Sequence, residues 1–169
     1  MAKSSIATEV AKRVHRAIPS VAVHVSGGFG ISLKPTAEVQ QSKSSHSSTA
    51  SDVLVTTKRG APLAAITVCD GNVSPHQVAT LTAHAAMMRA LFPHISYGIV
   101  AANVAVLPAG ITPNSVSFAI ALGTNNSDWK AFERLIKRQV KLSLFAYKSS
   151  KGNKGGRAIK RMETVVKIK

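Results

Sequence analysis

Residues 51–71 read SDVLVTTKRGAPLAAITVCDG: two apolar runs of strand length on either side of a Lys58-Arg59-Gly60 turn. Two such runs one turn apart bury their side chains together as an antiparallel pair. Directly after them, SPHQ at 74–77 is a helix start. Ser74 caps, Pro75 suits the first helical position and Gln77 completes a capping box. Val78, Leu81, Ala85, Met88 and Phe92 then recur at three- and four-residue steps, a stripe that belongs against a core, with Met87 and Met88 as filler. ISYGIVAANVAVL (95–107) and SVSFAIALG (115–123) return to apolar runs, as expected of strands buried in a central sheet. This order predicts one α/β domain with a central mixed sheet flanked by helices. Strictly alternating Rossmann units are excluded, because the early strands have no helices between them.

The flanks extend that reading. KSSIATEVAKRVHRAIPS (3–20) places Ile6, Val10, Val14 and Ile18 on one helical stripe, with Lys12, Arg13 and Arg16 off it, and Pro19 ends the helix. SVAVHVSGGFGISLKP (20–35) alternates apolar and polar residues on both sides of Gly27-Gly28, which predicts a hairpin. That glycine turn is no phosphate loop: no Gly-Lys-Ser/Thr ending or helix follows it. QQSKSSHSSTAS (40–51) has the composition of a mobile loop. A last helix starts near NNSDW, with Asn126 or Ser127 as cap and Asp128 suited to the positive end of the dipole. Trp129, Phe132, Ile136 and Val140 form its buried stripe. SSKGNKGGR (149–157) reads as a flexible linker and METVVKIK (162–169) as an added edge strand. The expected organisation is a core of residues 1–147 and a basic, partly flexible tail of residues 148–169.

Charge narrows the function. Twenty-two Lys and Arg stand against seven Asp and Glu, a net +15. Eight of those cations and one acid lie in 148–169, so the core is basic in its own right. A polyanion is the expected partner, most simply nucleic acid. There is no long apolar span and no signal-peptide core, so no membrane partner is expected. Cys69 is the only cysteine, which excludes an intramolecular disulfide or a Cys-rich zinc cluster. It fits a reducing, intracellular and cytoplasmic setting; the basic amphipathic start keeps mitochondrial targeting as the alternative. The histidines lack metal-binding spacing, His76 and His84 being eight apart. Lys130, Arg134, Lys137, Arg138 and Lys141 lie largely on one side of the last helix. With Lys58 and Arg59 at the turn and Lys151, Lys154 and Arg157 in the tail, they are the expected phosphate contacts. Two Tyr, one Trp and five Phe fall mostly at core positions, so base stacking is expected to be minor.

The texture of SDVLV, a turn, PLAAITV, a helix from SPHQVATL and the strand YGIVAA resembles the restriction-endonuclease-like superfamily, named for its PD-(D/E)xK motif. The resemblance spans residues 21–147. It implies DNA, favoured over RNA, as the partner, a homodimer as one arrangement, and Mg2+ as cofactor if the chain is active. Asp52 matches the first acid, with Ser51 in place of Pro. On the same strand alignment Thr67 stands where the Glu belongs and Cys69 where the Lys belongs, so the motif is degenerate. A shifted register offers Asp52, Asp70 and Asn72 instead, with Asp52 and Asp70 as catalytic and metal-binding acids. The resemblance further implies Glu9, on the first helix, as a ligand, as an N-terminal helix acid is in some members. Against these stands a purely structural role: Asp52 caps a strand and Asp70 belongs to an Asp-Gly turn. A structural RNA-binding component of a large ribonucleoprotein is the reading from another class.

Overall fold

The computed structural model describes residues 2–25, 28–33, 46–71, 73–107, 109–111, 116–123, 125–152 and 164–168. Helix α1 (Ala2–Ala17) leads into β1 (Val21–Val25) and β2 (Gly28–Leu33). Then come β3 (His46–Ala50), β4 (Val53–Thr57), β5 (Pro62–Asp70), α2 (Pro75–Leu91), β6 (Ser96–Ala102), β7 (Phe118–Leu122), α3 (Asn126–Gly152) and β8 (Thr164–Ile168). Five strands form a mixed sheet in the order β1-β4-β5-β6-β7. Its first three strands pair antiparallel, while β5, β6 and β7 run parallel. The chain is a small single-domain α/β protein.

Alternation along the strands sends side chains into two separate cores. Val53, Val55, Ile66, Val68 and Val100 point to the face covered by α1 and α3, meeting Val10, Val14, Phe132, Ile136 and Val140. Leu54, Ala65, Tyr97 and Ile99 point to the other face and meet Leu81, Ala85 and Met88 of α2. Burial on both faces explains why β6 is apolar from Gly98 to Ala102, all seven of its residues being buried, with the hydroxyls of Ser96 and Tyr97 hydrogen-bonded to Ser143 and Thr67. Gly98 is needed within it. The Phe118 ring of β7 lies across it, so that an added Cβ would sit 2.0 Å from the ring. The capping box of α2 forms: Ser74 Oγ accepts from Gln77 N at 3.3 Å, and Ser74 N donates to Gln77 Oε1 at 2.8 Å.

Three expectations need correction. The Gly27-Gly28 hairpin does not form: β1 pairs with β4 and β2 with β3, both antiparallel. Counting on from Val25↔Val53 reaches Gly28↔Ala50 without a shift, so the two ladders share one register although they belong to separate sheets. Alternation reads the same whether a chain turns back or runs on, which is why the sequence misled. The polar stretch at 40–51 is half strand, since His46–Ala50 is β3; residues 40–45 lie outside the described residues. Finally, α3 continues to Gly152, into the first residues of the stretch read as a flexible linker. The tail strand does form. β8 pairs antiparallel with β2, completing a second, three-stranded sheet in the order β3-β2-β8.

Candidate nucleic-acid interface

Asp52 sits where the β4–β5 ladder stops. The ladder's last pair at this end is Val53↔Ile66, and the chain bends at Asp52. The Val68 amide, left without a backbone acceptor from β4, donates instead to Asp52 Oδ2 at 2.8 Å. The carboxylate therefore stands in for a missing strand. The two positions that the superfamily's motif gives to Glu and Lys are taken into the α2 side of the fold. Thr67 Oγ1 lies 2.8 Å from the Tyr97 hydroxyl, and Cys69 packs half-buried against the α2 core. Burial raises the pKa of Tyr97; the Thr67 hydrogen bond opposes this, and the nearby Cys69 and Asp52 charges add to it.

Asp70 and Glu9 do not join this group. Strand β5 continues through Asp70, which pairs with Ala102. Alternation therefore turns Asp70 away from the face of Thr67 and Cys69, and its exposed carboxylate accepts from Asn103 Nδ2 at 2.6 Å. Asn103 adopts a left-handed backbone, φ 59°, and its amide donates to the Leu122 carbonyl at 2.9 Å. Asn72 lies outside the described residues. Glu9 accepts from Arg13 Nε at 2.8 Å on α1. Arg13 in turn reaches Glu133 of α3 at 3.2 Å, lies 5.1 Å over the Trp129 ring, and shares Glu133 with Arg16. Glu9 thus belongs to the clamp between α1 and α3. Among the described residues, no three His, Cys, Asp or Glu side chains come together as a metal site, and these three carboxylates face different partners. Among the described residues, the side chains do not assemble the magnesium centre that the resemblance implied.

The cations do converge. At 100° per residue, Lys130, Arg134, Lys137, Arg138 and Lys141 fall within about 100° of the α3 circumference, opposite Phe132, Ile136 and Val140. All five are exposed, and no ion pair among the described residues holds any of them. Lys130, Glu133, Arg134 and Lys137 line an open groove of about 380 Å³. The far half of α3 reaches the end of the sheet where β5 begins. His94 donates to the Pro62 carbonyl, and its ring centroid lies 5.4 Å from that of Tyr147. The β4–β5 turn that carries exposed Lys58 and Arg59 is at this end. Asp52 is at the other end of β4, about 20 Å away at strand rise. The acids and this part of the cationic surface are therefore apart. Lys151 lies in the last turn of α3, whereas Lys154 and Arg157 fall outside the described residues.

One feature of this surface escaped the sequence. Phe145 is 72% exposed, in the middle of the cationic arc between Lys141 and Lys148, and Leu142 beside it is 53% exposed. Helical periodicity alone places Phe145 opposite the buried stripe, so the signal was there to be read. No helix among the described residues is long and apolar enough to cross a membrane. Comparison with known proteins finds no matching family model, curated protein or solved structure.

Proposed function

We propose that this chain is a nucleic-acid-binding protein with a restriction-endonuclease-like fold and a degenerate active site. It grips phosphates through the outer face of α3, the Lys58-Arg59 turn and the basic tail. The observation that carries this reading is the row of five exposed cations on one arc of α3, none held by an ion pair among the described residues, while Glu133 beside them is bonded to Arg13 and Arg16 of α1. Support for the fold comes from a strand, turn, strand, helix, strand order with antiparallel and then parallel pairing, and from an acid at the head of β4. Support for degeneracy comes from Thr67, hydrogen-bonded to Tyr97, and from the half-buried Cys69.

Neutralising phosphates releases condensed counterions, so affinity falls with salt as a power law. Five contacts on a duplex correspond to a slope of about −4.5 in log K against log salt. Affinity then drops about 500-fold between 50 and 200 mM. Fluorescence anisotropy with a labelled duplex measures this directly. Replacing Lys137 and Arg138 together by Ala is expected to flatten the slope by about 2. A slope near zero, or one that the double variant leaves unchanged, overturns the grip. Magnesium-dependent nicking of plasmid that is lost in Asp52→Ala overturns the degenerate site.

A further inference from the structure

We propose that Phe145 makes the α3 surface a stacking platform for single-stranded nucleic acid, an inference that rests on the phosphate-binding reading above. A phenyl ring with most of its surface in water is costly on a helix that has a buried face available. Phe145 is not on that face. Its neighbours one turn before and just under one turn after it are Lys141 and Lys148, both exposed, with exposed Arg138 further back on the same side. A ring offers no hydrogen bond to a phosphate or a sugar. It offers only a flat apolar face, and in the midst of cations its natural complement is an anionic chain that carries flat apolar groups.

The strand must be unpaired. In a duplex the base faces are stacked on one another inside, and only the backbone and groove edges meet a helix surface. In a single strand each base has a face free to stack, and such contacts tolerate any sequence. The length fits. From Lys130 to Lys148 the arc runs about 27 Å at helical rise, which matches roughly eight nucleotides at stacked spacing and falls within the site sizes of single-strand binders. A lipid surface is the weaker match. Membrane-surface helices insert a broad apolar face, and that face of α3 is already buried against the sheet by Phe132, Ile136 and Val140.

The test measures the full-length protein at low salt against labelled (dT)20 and the (dA)20·(dT)20 duplex. Phe145→Ala is expected to weaken (dT)20 binding roughly 5- to 150-fold and to leave duplex binding within about twofold. Phe145→Trp should hold (dT)20 affinity. Phe145→Leu, which keeps apolar bulk without a π-face, should fall with Ala. Equal (dT)20 affinity in wild type and Phe145→Ala overturns the platform while the salt-dependent duplex grip stands. So does rescue by Leu, or an equal loss on both probes. Failure of the wild type to bind either oligonucleotide overturns both readings, as does binding only to phosphatidylglycerol vesicles. Because Phe145 is exposed, its variants are expected to fold, and circular dichroism checks that they do.

Discussion

At the scale of single residues, Asp52 shows how one side chain fits both a catalytic and a structural description. Its position at the head of β4 suits the first acid of a nuclease motif, yet its Oδ2 atom holds the Val68 amide where the ladder has run out. A buried amide left without an acceptor loses its full desolvation energy, so Asp52→Ala is expected to lower stability by about 1–3 kcal/mol. Asp52→Asn keeps an acceptor and should lose less. Urea denaturation of both variants checks this, and an unchanged midpoint for the Ala variant would rule out the capping role. The neighbouring positions tell the same story. Thr67 and Cys69 were legible as departures from the motif, but only the fold supplied Tyr97 as the partner that takes Thr67 in place of a metal.

At the scale of elements, α3 is tied down differently at its two halves. Near its start, Glu133 bonds Arg16 and Arg13 of α1, and these cations hold its carboxyl below the usual range. Towards its end, His94 packs edge-on to Phe92 at 6.2 Å and tilted against Tyr147 at 5.4 Å, with Nε2 buried and unpartnered. Burial lowers the pKa of His94, opposed by its bond to the Pro62 carbonyl. The unfolded chain then binds the proton more readily than the folded one. Stability from this contact is complete above the ordinary histidine value of about 6.5 and is lost as pH falls through the depressed folded value. Thermal melts from pH 7 to 5 should therefore fall more steeply for wild type than for His94→Leu. Parallel slopes would show that His94 does not titrate against the fold.

Over the whole molecule, charge and architecture are divided. The two hydrophobic cores of the described residues draw on α1, α2, α3 and the five-stranded sheet. The tail contributes β8, which pairs with β2 in the second sheet. Truncation after Gly152 is accordingly expected to shift the melting temperature by only a few degrees, about what 1 kcal/mol does in a domain this size. The same truncation should strip hydrogen-exchange protection from the β2 amides that face β8. Unchanged protection in β2 would contradict the pairing. If the proposed phosphate grip holds, losing the tail's cations should also weaken binding to nucleic acid through counterion release.

Local chemistry carried the sequence reading where one element decides its own form. The capping box at Ser74, the stripes of α1, α2 and α3, the buried β6 and the basic arc of α3 all depend on residues within a few positions of each other, and periodicity exposes such relations. Partner choice does not work that way. Whether β1 and β2 turn back on each other or run on beside β3 and β4 depends on residues tens of positions away, and the alternating pattern suits both. The side to which Asp70 points required knowing that β5 runs through it. The separation of Asp52 from Lys58 and Arg59 follows from the length of one strand, but the meeting of the far half of α3 with the end of the sheet where β5 begins required the packing of α3 across the sheet. Sequence determined which faces are apolar and which are charged; the tertiary structure decided which of those faces meet, because hydrophobic burial is non-directional and only the pairing of strands gives it an address.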